Sequence, residues 1–123
     1  MISVSYLACP HQHKDKDIKR KRLDAVTHVA ALLHGKEDYV YSPLTHNLPM
    51  SCYGLEQSFD LWKAFDLEMV ERCDRLYVLT LPGWDASEGV QAEIAHAKKL
   101  NKPIKMLEYD LESKQLLERS YMV

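Results

Sequence analysis

The most constraining stretch of this chain covers residues 74–97, Asp-Arg-Leu-Tyr-Val-Leu-Thr-Leu-Pro-Gly-Trp-Asp-Ala-Ser-Glu-Gly-Val-Gln-Ala-Glu-Ile-Ala-His-Ala. Residues 76–81 are a short β-branched and aliphatic run, Pro82-Gly83-Trp84 interrupts it, and Val90, Ile94 and Ala97 then recur at helical spacing. The segment predicts strand, tight loop and helix. Asp85, followed three residues later by Glu88, predicts an N-cap with a capping box and a helix starting at Ala86 or Ser87. Ser87, Gly89 and Glu93 then fall in its first two turns. Gly89 and Glu93 lie four apart on one face, so the side chain missing at Gly89 leaves open space beside the Glu93 carboxylate.

The same alternation recurs along the chain. Residues 2–8, with Val4, Tyr6 and Leu7 at their centre, predict a central strand that stops at Cys9-Pro10. After a polar loop, Ile18, Val26, Val29, Ala30 and Leu33 predict a helix over about residues 15–34, with Lys19 to Arg22 as its solvated face and Gly35 as its end. Residues 39–42 predict a second strand. Residues 43–56 are expected to be a long loop, beyond the usual length of about 4–6 residues and for that reason functional. A helix over 57–72 is expected to bury Leu61, Phe65, Met69 and Val70, followed by the strand and helix above, a fourth strand at 103–107 and a terminal helix at 111–119. Strands alternating with helices imply one three-layer α/β/α domain over residues 1–123, with a flavodoxin-like or Rossmann-like parallel sheet of four to five strands. Such a sheet binds ligands outside the carboxyl ends of its strands. Three loops reach that edge, over residues 6–13, 43–54 and 82–87.

Composition narrows the partners. A net charge of -2 provides no electrostatic footprint for nucleic acid or an acidic membrane. The absence of a leader-like start or a long apolar run points to a soluble, cytoplasmic protein. Three cysteines without a CxxC pair indicate neither a disulfide framework nor a zinc ribbon. Cys9-x-His11-x-His13 has metal-ligand types but completes no tetrahedral site, so no metal is assigned. The glycine signatures of dinucleotide and ATP sites are missing, and no cofactor is expected. Cys9 lacks an acid and base at a recognisable spacing and is read as a small buried thiol.

Glu93 is the residue with chemical promise. A glutamate near a helix start is ordinarily solvated, but this one has small neighbours, a broken loop before it, and Tyr6 and Asp66 directed at the same sheet edge. A carboxylate against a tyrosine hydroxyl and a second carboxyl makes a nucleophile with a proton donor beside it.

Three motifs carry a family resemblance: Tyr6-Leu7-Ala8-x-Pro10, Ser42-Pro43-x-x-His46, and Leu81-Pro82-Gly83-Trp84-Asp85-x-Ser87-x-Gly89-Val90-x-x-Glu93-Ile94. Over residues 2–107 the chain resembles the nucleoside 2-deoxyribosyltransferase-like superfamily and, within it, a small bacterial family of a domain of unknown function. The resemblance implies that Glu93 attacks the anomeric carbon of a ribosyl or deoxyribosyl group, that Asp66 serves the leaving base or the sugar, and that Tyr6 orients the glutamate. A fixed carboxylate suits this chemistry, because an N-glycosidic bond breaks through a cationic sugar. Water or a second base then resolves the ester, making the protein a hydrolase or a transferase.

Ser87, by the same resemblance, and Gly89, Trp84, Asp85, His46 and Pro10, by their place at this edge, are the expected substrate-binding set. Trp84 either stacks on a base or packs under its loop, and His46 either contacts substrate or stabilises its own loop. Nucleotide-hydrolysing members carry a Gly-rich phosphate loop after the first strand. This chain has Cys9-Pro10-His11-Gln12-His13 there, which leaves Arg20, Arg22, His11 or Lys14 as substitutes. The expected partner is a small nucleoside or nucleotide, with an apolar helix around Trp62 and Phe65 pointing to a homo-oligomer. The alternative is a binding or sensing module of the same fold without chemistry. If Asp66 and Glu93 serve one sugar, their carboxyls belong within about 10 Å of each other.

Overall fold

Period-two alternation along short strands decides which way each side chain of the core points. The computed structural model describes residues 3–35, 38–53 and 59–120. In β1 (Ser3–Ala8) Tyr6 and Ala8 face one side of the sheet, while Leu7, followed by Cys9 just past the strand, faces the other. A strand apolar on both faces needs both covered, and crossover helices provide that cover. α1 (Lys16–Leu33) packs Ala25, Val26 and Val29 onto the Leu7 side. After β2 (Asp38–Tyr41) the chain forms α2 (Pro43–Ser51) and α3 (Phe59–Arg72). β3 (Arg75–Leu79) again divides its residues, Leu76 and Val78 against Tyr77 and Leu79. α4 (Glu88–Lys99) packs Val90, Ile94 and Ala97 onto the Tyr6 side, beside Val70 of α3. β4 (Ile104–Asp110) and β5 (Gln115–Ser120) finish the sheet.

The strand order is β2-β1-β3-β4-β5, with the first four parallel and β5 antiparallel to β4. This is a three-layer α/β domain of flavodoxin-like order. The chain leaves β1 toward β2 and comes back across β1 to β3. The loops after β1 and β3 therefore diverge and open a crevice at the carboxyl edge.

Four expectations are corrected by the backbone. The long loop begins as α2: the Ser42 hydroxyl accepts from the Thr45 amide at 3.4 Å and Pro43 occupies the first turn, a start signal as good as any in the chain. Residues 54–56 of that connection and 57–58 of the predicted helix after it lie outside the described residues, as does Ile2 of the first predicted strand. The cap of α4 is Ser87, whose hydroxyl accepts from the Val90 amide at 3.3 Å, and Asp85 sits instead in a short 3-10 turn over Trp84–Ala86. The terminal helix is absent. Asp110 accepts from the Glu112 amide and the Ser113 hydroxyl at 3.0 and 2.9 Å, Lys114 turns through φ +57°, and the chain comes back as β5. Leu61 and Phe65 are 42% and 36% exposed, so only the Val70 end of α3 reaches the core.

The basic turn of α1 is not uniformly solvated either. Arg22 is 8% exposed, and its Nη1 and Nη2 donate to the carbonyls of Gln12 at 3.0 Å and Pro82 at 2.8 Å. One buried guanidinium thus ties the loop after β1 to the loop after β3. Gly83 makes room for it: φ is +95°, and a Cβ there would lie 2.7 Å from Arg22 Nη2.

Candidate active site

The crevice at the carboxyl edge holds a cleft of about 140 Å³ between the loop after β1, α2, α3 and the start of α4. Its chemical centre is Glu93, only 8% exposed on the inner face of α4 and lining the cleft with Asp66, Ser87 and Gly89. The Tyr6 hydroxyl, fully buried at the end of β1, donates to Glu93 Oε2. Burial pushes the Glu93 carboxyl up to about 8; the Tyr6 hydrogen bond opposes that rise and the Asp66 charge adds to it. Asp66 is pushed up to about 6 by burial, against a hydrogen bond from Asn47 and the nearby His46. Tyr6 is raised well above the usual phenol range by burial and then by the Glu93 and Asp66 charges, so it stays a donor.

Gly89 keeps the entrance open, with nothing within 4 Å of the position a Cβ would take. Cys9 also lines the cleft, but burial pushes its thiol up to about 12, which removes it as a nucleophile at neutral pH. His11 lines the cleft with a buried Nδ1 that has no hydrogen-bond partner, and burial, Lys19 and Arg22 hold its imidazole below the ordinary value, hence neutral.

The other sequence-picked residues lie elsewhere. His46 is adjacent to the cleft without lining it: its ring stacks on Phe65 at 5.8 Å and its Nδ1 meets Asn47 Oδ1 at 2.8 Å. Pro10 is fully buried and does not line the cleft. Trp84 packs against the α4-side core and borders a separate hollow of about 760 Å³ with Met106, Tyr109 and Leu117, so it takes the packing alternative, and exposed Asp85 does not line the cleft. Arg22 has both its described donors on loop carbonyls and braces the cleft from behind, which removes it from the candidate phosphate contacts. His13 faces a third hollow and its Nδ1 accepts from the Asp15 amide, so Cys9, His11 and His13 do not converge. Among the described residues no three His, Cys, Asp or Glu side chains are placed to hold a metal ion, and no helix is long and apolar enough to cross a membrane.

Sequence reasoning missed Asn47, 5% exposed, whose Nδ2 donates to Asp66 Oδ1 at 3.0 Å. It also missed the apolar wall formed by Pro43, Leu44 and Leu48 of α2 and Trp62 of α3. The Ser42-Pro43 helix start was the signal that would have placed Asn47, one turn in, on the inner side of α2.

This sheet with these helices is a nucleoside 2-deoxyribosyltransferase-like fold. It matches the 2-desoxiribosyltransferase from Leishmania mexicana with a TM-score of 0.59 at 19% identity, over 88% of this chain and 65% of that one. It also matches the 2-deoxyribosyltransferase of the psychrotolerant bacterium Bacillus psychrosaccharolyticus with a TM-score of 0.58 at 24% identity, over 86% of this chain and 72% of that one. The chain itself belongs to the family described as Domain of unknown function (DUF1937), whose model matches residues 3–109. No curated protein sequence matches it.

Proposed function

We propose that this protein cleaves or transfers the N-glycosidic bond of a nucleoside or related ribosyl compound, with Glu93 as nucleophile. The observation that carries the reading is the Glu93 carboxyl in a narrow cleft, with the Tyr6 hydroxyl on one oxygen and Asp66 lining the same space. A Glu93 oxygen attacks C1′ as the bond to the base breaks, the bonding pair leaves on the base nitrogen, and Asp66 supplies the proton. Attack of water, or of a second base, on C1′ of the ester then frees Glu93 and returns a proton to Asp66. Two carboxyls, Asp66 and Glu93, line the cleft, and their negative charge disfavours a phosphate, which favours an uncharged nucleoside over a nucleotide. The Bacillus enzyme is described as a biocatalyst for the synthesis of antiviral and antitumoral nucleosides, in line with this choice.

The two acids titrate as a pair, Asp66 near 6 and Glu93 near 8, so one proton is shared between about pH 6 and 8. The reactive form holds that proton on Asp66 with Glu93 ionised. A profile of kcat/KM against pH should therefore be a bell with limbs near those two values. A rate that rises without limit above pH 9 would remove the proton-donor role of Asp66.

The test of the activity is incubation with a pool of nucleosides and nucleoside monophosphates, with and without free bases, read by liquid chromatography and mass spectrometry. Base release or exchange that requires Glu93 supports the proposal. Because burial keeps Glu93 protonated at neutral pH, a second reading as a binding module has one observation in its favour; a nucleoside bound with its glycosidic bond intact after long incubation would select it. Gly89→Leu separates ligand from fold. A Cβ there meets nothing within 4 Å, so Tm should hold or rise, since leucine favours a helix over glycine by up to about 1 kcal/mol, while nucleoside affinity drops at least about tenfold by calorimetry. Equal affinity in wild type and variant would place the ligand elsewhere.

The proposal extends to a homo-oligomer, supported by exposed Met50, Tyr53, Leu61 and Phe65. A cytoplasmic setting fits the free thiols of Cys9, Cys52 and Cys73.

A further inference from the structure

We infer that Asn47 is a positioning residue for Asp66, clamping the cleft carboxyl between α2 and α3 through a directed hydrogen-bond chain that starts at His46. The two ends of the Asn47 amide are chemically distinct, which gives the chain its direction. Nδ2 donates to Asp66 Oδ1 at 3.0 Å, so Oδ1 faces His46, 2.8 Å from its Nδ1, and that nitrogen carries the proton. Asn47 is 5% exposed and cannot exchange these partners for bulk water. His46 is itself held, stacked at 20° on Phe65 and tilted against Tyr41 at 5.7 Å. Phe65 immediately precedes Asp66 on α3, so the same turn of helix carries the ring that steadies the donor end and the carboxyl at the acceptor end.

The groups facing Asp66 show what the chain controls. From α2 come His46 and Asn47, whose charge and hydrogen bond favour the ionised carboxyl against burial. From α4, β1 and β2 come Glu93, Tyr6 and Tyr41, each pushed upward in part by the Asp66 charge. Lys63 of the same helix borders a small adjoining hollow with Asp66 and Glu93. Without the Asn47 donor, Asp66 would keep its proton to higher pH, and the gap that separates the two acids would narrow. Asn47 thus holds the two carboxyls apart in titration. Only the catalytic meaning of Asp66 rests on the glycosidic chemistry proposed above.

The deciding experiment follows the Asp66 side-chain carboxyl carbon by ¹³C NMR titration in wild type, Asn47→Leu and His46→Phe. Leucine keeps the branching of Asn47 and removes its donor, so the Asp66 midpoint should rise by about one pH unit or more, with the acid limb of kcat/KM moving by the same amount. Phenylalanine retains a flat ring against Phe65 and removes the Nδ1 donor, so His46→Phe should move Asp66 the same way by less. An unchanged Asp66 midpoint in folded Asn47→Leu protein overturns the inference, and if that variant does not fold, an unchanged midpoint in His46→Phe does so. Should the wild type turn over no nucleoside, the glycosidic chemistry fails, and the NMR titration still decides the role of Asn47.

Discussion

Glu93→Gln should abolish turnover and stabilise the protein at the same time. The amide retains the shape of the carboxyl and accepts from the Tyr6 hydroxyl, but it cannot form a glycosyl ester, so the rate on a confirmed substrate should fall by at least about three orders of magnitude. The stability gain follows from linkage. Glu93 is raised from 4.5 to about 8 in the folded protein, so the folded state keeps a proton that the unfolded chain releases. The Glu93 contribution to stability is therefore greatest below pH 4.5, declines as pH rises toward 8 and is flat beyond that. Glutamine removes that decline. Melting curves should show a Tm advantage for the variant that is largest above pH 8, on the order of a few kcal/mol, and that vanishes near pH 4.5. Wild-type rate in Glu93→Gln would end the nucleophile assignment, and a Tm difference independent of pH would end the account of its burial.

Arg22→Met should loosen both rims of the cleft from behind it. The thioether side chain fills the aliphatic part of the space, but the carbonyls of Gln12 and Pro82 lose their charged donor. A hydrogen bond from a charged group contributes about 1.5–3 kcal/mol, and part of that loss is regained because no charge is buried. The expected cost is about 2 kcal/mol, or roughly 5–10 °C in Tm, together with about tenfold weaker nucleoside binding. His11 and Gln12 stand on one braced loop and Ser87 follows the other, which is why affinity should suffer. Arg22→Lys should fall between, since an ammonium lacks the fork that spans two carbonyls. A melting curve for Arg22→Met that overlays the wild type would show that the brace has no mechanical role.

Much of this arrangement is legible in the order of residues alone. Strand, loop and helix over residues 76–97 follow from period, and the carboxyl edge follows from alternating strands and helices. Tyr6 reaches Glu93 because one ends a central strand and the other lies one turn into the helix that packs over it. What was missed has physical reasons. Two cap-forming residues, Asp85 and Ser87, stand two apart, and the tight turn demanded by Pro82-Gly83 lets only the second reach an amide three residues on. α2 was hidden by Pro49 and by its lack of an apolar stripe. β5 was hidden because Leu111, Leu116 and Leu117 mimic a helical pattern, while the turn is made by the side chain of Asp110 and a left-handed lysine rather than by glycine. Arg22 reads as one more surface cation until the carbonyls it serves, ten and sixty residues away, are brought to it.

The bond between Tyr6 and Glu93 spans 87 residues of chain. Among the described residues the first partner lies in the earliest strand and the second in the last helix, so no short stretch of chain contains both groups. Every crossover between them must be laid down before the hydroxyl and the carboxyl meet. Local helices and the β4–β5 hairpin form from neighbours in sequence, whereas this contact carries the full entropic burden of loop closure. This one bond is in that sense a report on completed topology: a nascent or truncated chain that has collapsed, and even paired β1 with β2, still holds the Tyr6 hydroxyl and the Glu93 carboxyl apart.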